Sequence, residues 1–230
     1  MNRLLVAHGT RKPEGVAMIG ELAHRVGALL DCTIRVAFVD VLGPTPTEVL
    51  HDLDDGPTVL VPAFLASGYH VHVDIPAHVA ASGRDDVMVS PALGPSPQIV
   101  RVVTDRLIES GWQYGDSVIL AAAGTSDPGA QRDLRVTATL LSAAIGSRVE
   151  LAYAATGEPR VADAVRDVRA RGAERVVVAS YLLADGLFQD RLLASGADIV
   201  SRPLGLHPGT ARLIAARFRR TQVPVRAGRR

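Results

Sequence analysis

Short runs of apolar and β-branched residues alternate along the chain with longer stretches in which apolar residues recur every three or four positions. The short runs predict buried strands, and the longer stretches predict amphipathic helices. In the first half the predicted strands are residues 4–7, 33–39, 58–61 and 87–89, and a helix is predicted over residues 14–30. This alternation is typical of parallel strands that are joined by crossover helices.

The second half repeats this order. Its predicted strands lie near residues 118–121, 148–153, 175–179 and 198–200. LLVAHGTRKP aligns with ILAAAGTSDP, VLVPAFLASGYHV with VVASYLLADGLFQ, and PALGPSP with RPLGLHP. The three pairs follow the same order at separations of roughly 111 to 118 residues, which indicates a tandem duplication. The alignment places His8 opposite Ala123 and His70 opposite Phe188, so only the first copy keeps both histidines.

The sequence therefore predicts an α/β protein with two similar lobes, each a parallel sheet of about four strands flanked by helices. Glycine and polar residues at 111–116 separate the copies. The expected domains are residues 1–113, which carry the histidines, and residues 114–230, which lack them and are expected to form the other wall of a cleft. Ligands of open parallel sheets bind beyond the carboxyl ends of the strands, and clefts between lobes are preferred pockets.

Two histidines are candidates for chemistry in that cleft. His8 directly follows the first strand, and His70 lies a short loop beyond another strand. Neutral imidazole is both a good ligand for divalent transition metals and a good base near pH 7. His72, two residues further on, is a secondary candidate. The other four histidines and the only cysteine have structural interpretations: His24, His51, His78, His207 and Cys32.

Charge and composition exclude several classes of protein. Lys and Arg number 25 against 24 Asp and Glu, so no overall field would attract nucleic acid or an anionic membrane. The arginine-rich residues 217–230 contain a single aromatic residue, Phe218, which disfavours a nucleic-acid-binding arm. The apolar run at residues 4–7 is too short for a signal-peptide core or a membrane span, so a cytoplasmic location is expected. One cysteine excludes an internal disulfide.

The segments AHGTR and FLASGYHVHVDIP together resemble the class II tetrapyrrole chelatases of the sirohydrochlorin chelatase (CbiX/SirB) type, in their long, duplicated form. The resemblance covers essentially the whole chain. It implies that His8 and His70 are the catalytic, metal-handling pair. It also implies the reaction, which is insertion of Fe²⁺ or Co²⁺ into sirohydrochlorin with release of two pyrrole protons. The divalent ion is then a substrate, and no tightly bound cofactor is expected.

The substrate of this family carries eight carboxylates, so the resemblance also implies donors around the cleft. Arg11 and Lys12 are the charged candidates, since they follow His8 closely. Thr10, Ser67 and the backbone N–H groups after Gly9 and Gly68 are neutral candidates, and Tyr69 is a candidate for the apolar wall together with Phe64 and Leu65, which are equally well explained as core. Two histidine ligands suit delivery, because a structural site would be closed by four protein ligands.

Two carboxylates near these motifs have alternative interpretations. Asp74 either accepts a hydrogen bond from His70 or caps the following helix, and the cap is the preferred interpretation. Glu48 either assists the metal or the proton, or belongs to the first turn of a helix that Thr45 caps, which is again preferred.

Other functions fit less well. Histidine phosphatases place an arginine immediately before the histidine that follows their first strand, whereas Ala7 stands here. A non-catalytic two-lobed protein that binds a tetrapyrrole or a metal is the alternative from another class. Within the chelatase interpretation, iron for sirohaem is preferred to cobalt for cobalamin only because sirohaem is the more general need. A monomer is expected, since one chain supplies both lobes.

Overall fold

The computed structural model describes residues 1–10 and 12–221. The first half contains four strands, four helices and one π-helical turn, in the order β1 (Asn2–Ala7), α1 (Pro13–Leu30), β2 (Arg35–Phe38), α2 (Pro46–Asp52), β3 (Thr58–Pro62), the π turn (His70–Asp74), α3 (Ile75–Ala81), β4 (Val87–Val89) and α4 (Pro97–Glu109). The second half follows as β5 (Ser117–Gly124), α5 (Pro128–Ile145), β6 (Val149–Thr156), α6 (Val161–Ala170), β7 (Val176–Tyr181), α7 (Leu187–Leu193), β8 (Ile199–Val200) and α8 (Pro208–Arg220).

Each half forms one four-stranded sheet, and both sheets have the same topology. The strand orders are β2-β1-β3-β4 and β6-β5-β7-β8, and every pairing is parallel. The predicted fold class is therefore confirmed. The observed strands differ from the prediction at their ends: β1 begins at Asn2, β2 is restricted to Arg35–Phe38, and β5 extends to Gly124. Neighbouring strands decide these ends, because a residue belongs to a strand only where a partner completes the ladder.

The last helix of each half packs across the centre of the molecule. Helix α8 contacts α1 and β3 of the first half, whereas α4 contacts α5 and β7 of the second half. The inner faces of both sheets thus share one buried core, which includes residues of both halves such as Leu5 and Phe218. Helices α2 and α3 cover the outer face of the first sheet, and α6 and α7 cover that of the second. This exchange of helices fixes the two halves against each other.

The residues with structural interpretations are located as expected. His24 and His51 are exposed on helices, and the Nδ1 atom of His78 lies 2.8 Å from the hydroxyl of Thr47. His207 caps α8 by accepting a hydrogen bond from the backbone N–H of Gly209. Cys32 is half-buried against the central core. None of the helices within residues 1–10 and 12–221 is long and apolar enough to span a membrane. Most of the arginine-rich segment lies outside the described residues, which end at 221.

A glycine stands at or just after the end of the first strand in each copy. Gly9 follows β1 with φ of 92° and Gly124 ends β5 with φ of 100°, both in the region that glycine alone adopts readily. A Cβ atom at Gly9 would overlap the carbonyl oxygen of Asp40, and one at Gly124 would overlap that of Thr156. The two copies therefore need glycine here for the same reason, which is a sharp turn directly beside the neighbouring strand.

The substitution Gly124→Ala is expected to lower the free energy of unfolding by about 2–4 kcal/mol, because positive φ is strained for alanine and the overlap forces the backbone to shift. Denaturant-induced unfolding measures this change. Gly20→Ala is the control, since its Cβ would meet no described atom within 4 Å and alanine favours a helix. A Gly124→Ala protein as stable as the wild type would show that the turn tolerates a side chain.

Candidate active site

The structure brings His8 and His70 together at the carboxyl ends of two adjacent strands. His8 directly follows β1, and His70 opens the π turn beyond β3, which pairs with β1. Their ring centroids lie 4.6 Å apart, and the ring planes are nearly perpendicular at 88°. The separation agrees with the distance of about 5 Å at which two imidazoles can reach a single ion through bonds of ~2.1 Å.

Both rings use Nδ1 in a local hydrogen bond. Nδ1 of His8 lies 3.1 Å from the carbonyl oxygen of Gly9, and Nδ1 of His70 lies 2.5 Å from Oδ2 of Asp74. A carbonyl and a carboxylate only accept hydrogen bonds, so each Nδ1 carries the proton in a neutral ring. The lone pair is then on Nε2 of both rings. Each histidine is thereby prepared to bind a metal ion, or to accept a proton, through Nε2.

Asp74 supports His70 and does not act as a cap. The preferred interpretation from the sequence was therefore wrong: the side chain of Asp74 makes no capping hydrogen bond to α3. The π turn explains the difference. It continues directly into α3, with the N–H of Ile75 bonded to the carbonyl oxygen of His70, so the helix has no free first turn at Asp74. Single π turns of this kind occur often at functional sites.

Aromatic residues surround the second imidazole. Phe64 stacks on His70 at 5.8 Å between ring centroids, and Tyr69 approaches it edge-on at 6.2 Å. Phe64 also packs against the core on the outer face of the first sheet, as its core interpretation expected, and its place in the apolar wall of the cleft stays a prediction. Tyr69 is 60% exposed, which leaves an aromatic face available beside the histidines.

The predicted charged donors have different surroundings. Arg11 lies outside the described residues. Lys12 reaches across to the second half, where its Nζ lies 3.0 Å from Oδ2 of Asp190. Thr10 accepts a hydrogen bond from the backbone N–H of Lys12 and so shapes the turn between β1 and α1. The Lys12–Asp190 pair is about half exposed on both sides, so it is worth only ~0–1 kcal/mol.

Ser67 and Gly68 face the second half of the molecule. The backbone N–H of Ser67 already donates to Oδ2 of Asp133, at 2.8 Å, and is not a free donor. Gly68 lies against α5, where a Cβ would come within 3.3 Å of the Cβ of Ala130. The loop before His70 is therefore packed between the halves.

The remaining candidates do not join the pair. His72 lines a separate cavity of about 320 Å³ with Ser67, Arg132 and Arg217. Glu48 completes a capping box with Thr45, as the sequence predicted, and the hydrogen bond from the backbone N–H of Thr45 lowers the pKa of this carboxyl. Within the part of the chain that the structure describes, no three His, Cys, Asp or Glu side chains gather as they would around a structural metal ion.

Three residues near the site were not predicted from the sequence. Asp133 and Tyr181 of the second half contact the loop that precedes His70. Arg132 lines the cavity beside His72. Only Tyr181 had a signal in the sequence, since the alignment of the copies pairs this large side chain with Ala63.

Two sheets of identical strand order, with a histidine pair at the strand ends of one of them, define a bilobal, chelatase-like α/β protein. The CbiX family model matches residues 2–110 and again residues 117–221. The chain therefore belongs to the CbiX family, with two copies of the domain, as the resemblance of the motifs indicated.

Relatives with known names support the same conclusion. Sirohydrochlorin ferrochelatase of Priestia megaterium is 27% identical, in a match that covers 92% of this chain and 87% of that protein. Sirohydrochlorin cobaltochelatase of the same organism is 26% identical over 204 residues, covering 82% and 66%.

Solved structures share the fold. SirB from Bacillus subtilis with Fe³⁺ superposes with a TM-score of 0.79 at 22% identity and covers 96% of both chains. CbiX, described as the terminal enzyme of sirohaem biosynthesis in denitrifying bacteria, superposes with a TM-score of 0.73 at 22% identity and covers 95% of this chain and 98% of that one.

Proposed function

We propose that this protein is a sirohydrochlorin chelatase that inserts a divalent metal ion, with Fe²⁺ preferred, into its tetrapyrrole substrate. The observation that carries the proposal is the pair of perpendicular imidazoles 4.6 Å apart, each with Nδ1 engaged and Nε2 bearing the lone pair. Membership of the CbiX family and the names of its relatives support the choice of substrate.

The reaction has two requirements, and a pair of imidazoles can meet them one after the other. The incoming ion needs ligands that hold it weakly, and two nitrogen ligands leave other coordination positions open for the pyrrole nitrogens. As the ion moves into the macrocycle, two pyrrole protons leave. The two Nε2 lone pairs that the ion vacates are then free to accept one proton each. The balance is one M²⁺ taken up and two H⁺ released.

Asp74 contributes to the second of these steps. Its carboxylate lies 2.5 Å from Nδ1 of His70, where a negative charge stabilises the ring after Nε2 has accepted a proton. The same contact fixes the orientation of the ring before the ion arrives. Asp74 thus assists His70 through orientation and charge.

The carboxylates of the tetrapyrrole need cationic partners. Arg11 and Lys12 remain the proposed charged partners, and Thr10 and Tyr69 remain proposed uncharged contacts of the substrate. Lys12 would exchange the carboxylate of Asp190 for one of the substrate, a replacement of like by like at an exposed position. We further propose that a monomer suffices, because the second half supplies the other wall of the cleft.

A metal-selectivity assay tests the proposal. Metal-free sirohydrochlorin is mixed with the protein and equal concentrations of Fe²⁺, Co²⁺ or Ni²⁺, and insertion is followed by the change in absorbance. We expect acceleration over the protein-free rate with Fe²⁺ and Co²⁺. Faster insertion of Co²⁺ than of Fe²⁺ would favour the cobaltochelatase function. Binding of the tetrapyrrole without acceleration by any of the metals would favour a non-catalytic binding protein.

A further inference from the structure

The loop that leads to His70 is held by residues of the other half. We call residues 63–69 the histidine loop, since they connect β3 to the π turn. The hydroxyl of Tyr181, at the end of β7, donates a hydrogen bond of 2.8 Å to the carbonyl oxygen of Leu65. The carboxylate of Asp133, on α5, accepts a hydrogen bond of 2.8 Å from the backbone N–H of Ser67. Two backbone groups of the histidine loop therefore depend on side chains from the second half.

The contact of Tyr181 is buried and leaves little freedom. Tyr181 is only 2% exposed, and its oxygen also lies 3.4 Å from the hydroxyl of Thr137. Burial raises the pKa of Tyr181, so the hydroxyl remains protonated and able to donate. A Cβ atom at Gly94 would overlap both the tyrosine oxygen and the carbonyl oxygen of Leu65. Gly94, in the PALGPSP segment, thus leaves room for this contact.

The first half has no equivalent tyrosine to contact the corresponding loop of the second half. The alignment of the two copies places Ala63 at the position of Tyr181, and alanine has no hydroxyl to offer the second half. Leu183 is the counterpart of Leu65, and its carbonyl oxygen accepts a hydrogen bond from the backbone N–H of Gly205 in its own half, at 2.8 Å. The copy that lost the histidines thus carries a side chain that supports the copy that kept them.

We infer that Tyr181 and Asp133 are positioning residues, which fix the histidine loop so that the imidazole of His70 stays close to that of His8. Beyond the two hydrogen bonds, α5 lies directly against Gly68, so the loop meets the second half at residues 65, 67 and 68 before His70. Two ligands that meet at one ion require a defined separation, and a loop that moves by an ångström or two would lose it. The inference rests on the proposed metal-handling role of the pair.

Tyr181→Phe provides the test, because it removes the hydroxyl and keeps the buried ring. Tyr153→Phe is the matched control, since Tyr153 is another buried tyrosine of the second half and has no contact with the histidine loop among the described hydrogen bonds. Two properties are measured on the full chain: the affinity for Co²⁺ alone, by titration, and hydrogen exchange of the peptide that covers residues 63–74. Asp133→Ala serves as an independent second variant.

We expect Tyr181→Phe to weaken Co²⁺ binding about tenfold, a loss typical of residues that orient metal ligands. Exchange in residues 63–74 is expected to accelerate, while the core strands stay protected. Unchanged Co²⁺ affinity or unchanged exchange in the loop would overturn the inference, even with a lower Tm, because a merely structural tyrosine would affect stability alone. If Tyr181→Phe fails to fold, Asp133→Ala decides by the same two measurements.

These outcomes are distinct from failure of the proposed function. A wild-type protein that binds Co²⁺ but does not insert it into sirohydrochlorin would contradict the chelatase proposal and leave the test of Tyr181 intact. Co²⁺ affinities of His8→Ala and His70→Ala that equal the affinity of the wild type would overturn both the proposed function and the inference.

Discussion

Replacing either His8 or His70 by alanine is expected to reduce metal insertion into sirohydrochlorin by ~10²–10⁴-fold, the range that loss of a proton-accepting group usually gives. In the proposed mechanism each imidazole supplies one nitrogen ligand, so after either substitution the remaining ring would hold the ion with half of its protein ligands. Loss of both side chains should cost little more than loss of one, because the two act as a unit. The measurement is the initial rate of absorbance change at saturating metal.

These substitutions should change the free energy of unfolding only slightly. His8 is exposed and His70 is partly exposed, so neither fills the core. His24→Ala and His51→Ala are the controls, since both remove an exposed helical histidine, and they should retain wild-type rates. Wild-type rates in both His8→Ala and His70→Ala would remove the basis of the proposed mechanism.

Removal of the Asp74 carboxylate is expected to have the second largest effect. Asp74→Ala abolishes the acceptor for Nδ1 of His70 and should lower both Co²⁺ affinity and the insertion rate by about 10–100-fold, as substitutions behind a metal-binding histidine commonly do. Asp74→Asn keeps an acceptor oxygen but loses the charge. It should therefore retain most of the Co²⁺ affinity, because the ring stays oriented, and lose insertion rate, because the protonated ring is less stabilised.

This difference between the two variants separates the roles of orientation and charge. Equal Co²⁺ affinities in Asp74→Ala and the wild type would show that the carboxylate does not orient the ring. Equal insertion rates in Asp74→Asn and the wild type would show that its charge is not needed. Asp52→Asn, at an exposed position on α2, is the control for a lost surface charge.

Much of the fold could be read from the sequence because the relevant signals are local and repeated. The central strands β1, β3, β5 and β7 are largely buried and appear as short apolar runs, and the longer crossover helices show a helical period. The duplication strengthened the prediction of the strands, since a strand predicted in one copy could be checked against its counterpart in the other. The exchange of α4 and α8 between the halves was not predictable in this way, because the apolar face of a helix does not specify which sheet it packs against, and here α8 contacts β3 whereas α4 contacts β7.

The histidine pair was predictable for a similar reason. Parallel strands end on the same side of a sheet, so residues that follow neighbouring strands lie close together, and the motifs marked His8 and His70 as such residues. The contact of Asp74 with His70 was not predictable, because an aspartate before Ile-Pro is more typical of a helix cap, and only the π turn rules out the cap.

The sequence by itself determined the two-lobed α/β architecture, the family resemblance and the asymmetry of the histidines, since all three are written in the order of residues along one chain. Only the tertiary structure decided what holds His70 in place. Leu65 and Tyr181 are 116 positions apart, and their hydrogen bond exists because the packing of two sheets against shared helices brings β7 beside the histidine loop. Contacts of that range depend on the whole core, which no local pattern specifies.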